Sequence, residues 1–228
     1  LHTNASGDYT ENYPVVEPTR EYMTSWISRR SAEWIAVQEA QDDGPWMCMV
    51  THSSAHTPIQ TPPFELTGVN ATPLNCTLPT IDPNIQYREV YSLMVESLDR
   101  SIGNMLVALG YGTWGQDGFE LADLASKNVM LVVLADNGSY GYTVFPPFSP
   151  TQSKQTVYQT GVWVPCVVAG AGVNAAPGSQ TTVDHDVNVV DLFGLFCDVA
   201  GVDYASEVEA HAPGRVLDAK SMLPYLTD

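Results

Sequence analysis

At 228 residues, 44% of them hydrophobic and five of them Trp, the chain can bury one sizeable core, and two small domains are the weaker alternative. Its 26 acidic and 9 basic residues give a net charge of −17, which excludes the clustered Lys and Arg that a nucleic-acid partner requires. The longest apolar run, Val129 to Ala135, is far too short to span a bilayer.

The chain starts at Leu1 with no basic-plus-apolar leader, as a mature form or a fragment would. Residues 1–16 are polar and broken by Pro, and read as an incoming loop. A helix is predicted from Thr19 to about Gln41, where Tyr22, Trp26, Ile27 and Ile35 recur at near-helical spacing. Gly44-Pro45 breaks it, and WMCMVTH then reads as a short buried strand. Residues 53–86, rich in Pro, Thr and Asn, form a long irregular segment of the kind that passes over an active site. YREVYSLMVESLDRSIGNMLVALG is the best helix in the chain. Val90, Leu93, Met94, Leu98, Ile102, Met105, Leu106 and Leu109 make one apolar stripe, and Gly110 stops it. A buried strand at 129–135 precedes a Gly/Tyr/Pro-rich loop to about Gln159, and a second lies in GVWVPCVVAGAG. Val187 to Gly201 reads as a helix with Asp184 or Asp186 available as its cap. Apolar strands alternating with helices imply an α/β fold with a mainly parallel sheet flanked by helices. Ligands of such sheets gather at the carboxyl ends of the strands.

Asp136-Asn137-Gly138 falls at such an end, and it has two readings. Asn-Gly is a common turn signal, while Asp and Asn together offer two oxygen ligands to a metal. His52 and His56 follow the WMCMV run. Each reads either as an ordinary loop histidine or as a positioned acid or base, and the Thr57-Pro58 step stiffens the backbone beside His56. Lys154, one of few basic residues, precedes the second strand and is either a solvated lysine or a site cation. Asp184-His185-Asp186 looks like a metal cluster, but adjacent side chains diverge, which favours helix capping over metal binding, and HAPGR at 211–215 reads as a surface turn. Cys48, Cys76, Cys166 and Cys197 form no CxxC pair. Cys48 and Cys166 read as buried thiols, and any disulfide stays unassigned. Sequons at Asn4, Asn70, Asn75 and Asn137, with the acidity, fit a secreted, periplasmic or lysosome-like compartment.

The order of these stretches resembles the sulfatase family of the alkaline-phosphatase superfamily. A strand ending in a histidine followed by Pro precedes YREVYSLMVESLDRSIGNML, similar to the family's Tyr-x-x-x-Val/Ile…Asp-x-x-Ile-Gly helix. The strand ending ADNG, the Lys in KQTVYQTGVWVP and the helix DLFGLFCDVAG follow in the family's order, and SMLPYLTD is similar to the close of its catalytic core. From about Thr19 to the C-terminus, the resemblance implies the C-terminal portion of one sulfatase-like catalytic domain, an incomplete α/β alkaline-phosphatase-like fold. It implies a sulfuric ester hydrolase that uses Ca²⁺ on a sulfate-ester small molecule or a sulfated carbohydrate. Asp136 and Asn137 match the family's calcium ligands, Lys154 the lysine on the sulfate ester, and His56 the histidine near the leaving oxygen. Phosphatase relatives place Asp-His here, suited to zinc, whereas Asp-Asn offers only oxygens, suited to a hard cation.

The chain also departs from the family. The formylglycine nucleophile comes from a Cys/Ser-x-Pro-x-Arg motif that these residues lack, as they lack the early Asp pair and the small C-terminal domain. Gln159, Thr160 and Trp163 stand where the family has Tyr-Glu-Gly-Gly-x-Arg. The nucleophile is therefore expected outside this segment, and the remainder of the catalytic domain is an implied partner. A non-catalytic sulfatase-like module and a phosphatase or phosphonate hydrolase are the alternatives.

Overall fold

The computed structural model describes residues 2–3, 9–10, 21–41, 44–69, 83–175 and 179–227. Strands β1 (His2–Thr3) and β2 (Tyr9–Thr10) pair antiparallel. Helix α1 (Met23–Gln41) is followed by irregular chain, a one-turn helix α2 (Phe64–Thr67) and the long helix α3 (Pro83–Ala108). A hairpin, β3 (Gly112–Trp114) with β4 (Phe119–Leu121), leads to β5 (Met130–Leu134). After an excursion that includes α4 (Gln159–Val162), the chain returns as β6 (Cys166–Gly170), and α5 (Asp191–Val199), α6 (Tyr204–His211) and α7 (Leu223–Thr227) complete it.

The apolar stripe of α3 behaves as its spacing predicts. Its first half packs Val90 and Met94 on Ile59, with Ala55, Tyr87 and Tyr91 at the edge of the cluster. Its second half brings Leu106 against Tyr111 and Leu124, joined by Ile102, Phe119, Val129 and Leu131. Gly110 ends the helix at φ 69°. Tyr111 N donates to Leu106 O and Gly110 N to Val107 O, the paired bonds of a Schellman cap that only an unhindered left-handed residue allows cheaply.

The mainly parallel sheet is not there. The described strands form three two-stranded sheets, all antiparallel. β5 pairs with β6 in the register Met130↔Gly170 to Leu134↔Cys166. The reason lies in the connection: the excursion after Leu134 doubles back and re-enters β6 beside the point where it left. An apolar run marks a strand but is silent on its direction. The α/β sulfatase-like arrangement expected from the sequence is corrected to a helix-rich chain with small antiparallel ribbons.

Other expectations shift as well. WMCMV forms no strand and is not buried, with Met47 61% and Met49 79% exposed. The predicted cap of α5 is also different: neither Asp184 nor Asp186 serves. Asp191 accepts from Asn188 N through Oδ2 and from Lys220 N through Oδ1, tying the helix start to the C-terminal segment. Cys48, Cys166 and Cys197 are free thiols, half-buried, and burial pushes the Cys48 and Cys166 thiols up. Residues 70–82, with Asn70, Asn75 and Cys76, lie outside the described residues, as does Asn4. No described helix is long and apolar enough to cross a membrane.

Candidate functional site

Asp136 and Asn137 follow β5 after Ala135 and lie in a bend, but Asn137-Gly138 is not a two-residue type I′ hairpin turn. A two-residue type I′ turn needs φ > 0 at both central residues, and neither has it. The segment instead continues as one arm of the long hairpin. Ala135 N donates to Pro165 O at 3.3 Å, Gly138 N to Gly161 O at 3.1 Å, and Ser139 N to Thr160 O at 2.9 Å. Two glycines permit the crossing. A Cβ on Gly138 would overlap the Thr160 and Gly161 backbone, and one on Gly161 would overlap the Thr156 and Ser153 carbonyls. Asp136 is exposed and Asn137 half-buried.

The same backbone lattice holds Lys154, whose N–H donates to Ser139 O at 2.8 Å. The chain on either side is fixed by Ser153 Oγ to Pro150 O and by Thr160 Oγ1 to Gln152 O. The Lys154 side chain is half-buried and enters none of the ion pairs among the described residues. Lys154 is thus tethered two residues from Asn137.

His56 lies in the loop before α2. Its N–H donates to Ser53 O, and its ring Nδ1 is 2.9 Å from Thr57 O. A carbonyl can only accept, so Nδ1 carries the hydrogen and Nε2 is the atom free to hold or move a proton. The flanking residues Ala55 and Ile59 rest on the first half of α3, near Tyr87 and Tyr91. The segment after Asp136 reaches the same stretch of helix, where Tyr142 stacks on Tyr87. Burial first, and then the Asp136 carboxylate, push the Tyr91 phenol up. The His56 loop and the segment that follows Asp136 therefore meet on one helix.

Several residues around these four carried no site signal in the sequence. Tyr87 stacks on Tyr142 with centroids 5.7 Å apart at 26°, and Tyr142 contacts Tyr140 at 5.2 Å. Arg88 donates from Nη2 to Val144 O at 3.0 Å and lies 4.5 Å over the Phe145 ring, while its buried Nε has no hydrogen-bond partner among the described residues. Tyr87 and Tyr91 stand four apart on α3, a spacing that places them on one face and that could have found them. His52 has both ring nitrogens buried without a hydrogen-bond partner among the described residues, and burial lowers its pKa.

Elsewhere, a cavity of about 480 Å³ opens between α1 and α3 over Ser28, Ala32, Ser101 and Met105, and none of the four predicted site residues lines it. Asp184 and Asp186 are exposed. Among the described residues no group of three or more His, Cys, Asp or Glu side chains could hold a metal ion.

No family model matches the chain, and a search of curated proteins gives no match. Among solved structures the chain is similar to part of Ps i-CgsB, crystallised in complex with k-i-k-neocarrahexaose. The TM-score is 0.60 at 21% identity, over 90% of this chain and 38% of that one. The likeness is one of fold, and this chain spans under two fifths of that protein's length.

Proposed function

We propose that these residues belong to a sulfuric ester hydrolase of the sulfatase kind, acting on a sulfate monoester, with the nucleophile supplied by residues outside these 228. The observation that carries the reading is the convergence on α3: the His56 loop packs beside Tyr87 and Tyr91, the segment after Asp136 packs there through Tyr142 on Tyr87, and Lys154 is tethered to Ser139. Ps i-CgsB, of similar fold, was crystallised with a carrageenan oligosaccharide, and carrageenans are sulfated galactans. That ligand supports a sulfated carbohydrate as the substrate class.

Breaking a sulfate ester builds charge on the sulfate oxygens and on the departing oxygen. In this reading Lys154 neutralises the former. His56, acting as the imidazolium with Nδ1–H committed to Thr57 O, delivers its Nε2 proton to the latter and is left neutral. Asp136 and Asn137 fit a calcium site in kind, since both offer oxygen, and would be two of the six to eight ligands that such an ion takes. When bound, the ion would supply Lewis-acid stabilisation of the sulfate oxygens.

A second reading, a non-catalytic sugar-binding module, is favoured by Trp163, which is 72% exposed where the family has Arg. Sulfate release by the full gene product decides between them, measured on a carrageenan oligosaccharide with Ca²⁺ and with a chelator. Lys154→Ala is expected to lower kcat/KM by about 10²-fold or more, the scale of one charge-stabilising group. Absence of turnover, or turnover indifferent to Lys154→Ala, sinks the hydrolase reading.

A further inference from the structure

From Asn137 to Val183 the chain contains no Asp or Glu, although 26 of its 228 residues are acidic, and Lys154 is the one charged side chain in that stretch. The acid-free stretch begins immediately after Asp136 and includes the loop that wraps the first half of α3. It is also rich in exposed rings: Tyr142, Phe145, Phe148, Tyr158 and Trp163 are all exposed. A chain with so negative a net charge repels anions nearly everywhere, and this surface is where that repulsion is locally relieved. Arg88 adds a second cation beside Phe145, with a buried Nε–H that has no acceptor among the described residues.

The rings are arranged, not scattered. Tyr87, half-buried on α3, backs Tyr142 in a near-parallel stack, and Tyr140 leans against the same ring at 52°. Tyr142 is nevertheless 54% exposed. A ring held by two neighbours and still open to water is preorganised to receive a flat apolar face at little entropic cost. The axial C–H face of a pyranose is such a surface, and a sulfated sugar adds the anion that Arg88 and Lys154 would meet.

We infer that Tyr142, backed by Tyr87 and edged by Tyr140, is a stacking platform for one pyranose ring of a sulfated oligosaccharide whose ester lies toward Lys154. This deepens the proposed function and rests on it for the sulfate ester, while the stacking stands on the tyrosines alone. The ligand is then a sugar chain, not an isolated small ester.

The test is calorimetric titration of the protein with a carrageenan hexasaccharide and with the same hexasaccharide desulfated. Tyr142→Ala is expected to weaken hexasaccharide binding about tenfold, the scale of one aromatic contact. Tyr142→Phe keeps the ring and is expected to stay within about twofold. Equal affinity for Tyr142→Ala and the unaltered protein overturns the platform, as does equal loss in Tyr142→Phe. A change of association state in Tyr142→Ala, with sugar affinity intact, overturns it in favour of a protein-binding surface. Should Tyr142→Ala fail to fold, saturation-transfer NMR on the unaltered protein decides. Transfer from tyrosine ring protons to one face of the sugar supports the platform, and its absence refutes it. The two readings fail separately. Desulfated sugar that binds as well and still needs Tyr142 keeps the platform and removes the sulfate ester. Ester turnover that needs Lys154 but ignores Tyr142→Ala does the reverse.

Discussion

At its Met130 end strand β5 meets packed side chains as well as backbone, and beyond its Leu134 end it is held chiefly by backbone. The first end is closed by Leu106, Tyr111 and Leu124, with Val129 and Leu131 packed against them and Leu124 only 2% exposed. The second is held by main-chain bonds from Ala135, Gly138 and Ser139 to the returning arm, and by the Lys154 N–H to Ser139 O. Burial of apolar surface stabilises one end at roughly 25 cal/mol per Å². Backbone pairing fixes the other, which leaves the side chains of Asp136 and Lys154 outside every ion pair among the described residues. The division puts rigidity where no chemistry is needed and position without side-chain commitment where it is.

The sharpest way to break that contrast is to add one methyl at each end. Gly170 sits at φ 98°, and a Cβ there would overlap Val129 O and lie 2.8 Å from Leu124 Cβ. Gly170→Ala therefore combines backbone strain with overpacking against an immobile core. It is expected to lower unfolding stability by about 4 kcal/mol, read as a shifted urea midpoint at unchanged slope. Gly138→Ala meets the Thr160–Gly161 backbone first and is expected to remove about 2 kcal/mol. Its effect should be local: amide exchange of Ser139, Lys154 and Gly161 accelerates while the amides of β5 hold. If Gly138→Ala unfolded the chain as thoroughly as Gly170→Ala, the two ends would be one cooperative unit and the contrast would disappear.

The apolar end was the legible one. The stripe from Val90 to Leu109, its stop at Gly110 and the strand at 129–135 follow from side-chain period and from one glycine's freedom, which are local properties. The direction of β5 against β6 was not legible, because it depends on where the excursion from Ala135 to Pro165 turns back, and apolar runs look alike either way. WMCMV failed for a related reason: its residues suit a strand, but no described neighbour pairs with it. At the candidate site, Asp136, Asn137, Lys154 and His56 were legible as residue types. That the His56 loop and the Tyr142 turn after Asp136 both pack on α3 was not, since it runs through Tyr87, Tyr91 and the Gly138–Gly161 crossing, features without a sequence period. The absence of carboxylates from Asn137 to Val183 was in plain view and passes unnoticed when only motifs are read.

The closed end also carries a titration that sharpens the contrast further. Burial first, and the nearby Glu39 carboxylate second, push the Tyr111 phenol from 10.0 up to about 12. The folded chain thus holds this proton more tightly than the unfolded one. The associated stability is fully present below pH 10, the unfolded value, and is lost as the pH rises from there through the folded value near 12. A shift of that size corresponds to roughly 2–3 kcal/mol at the upper limit. Tyr111→Phe has no phenolic proton to lose. Its urea midpoint should therefore fall less steeply between pH 10 and 12 than that of the unaltered chain, with the lysines and other tyrosines cancelling in the difference. Parallel curves would mean that Tyr111 meets water freely, and then the Met130 end of β5 would be no more closed than the other.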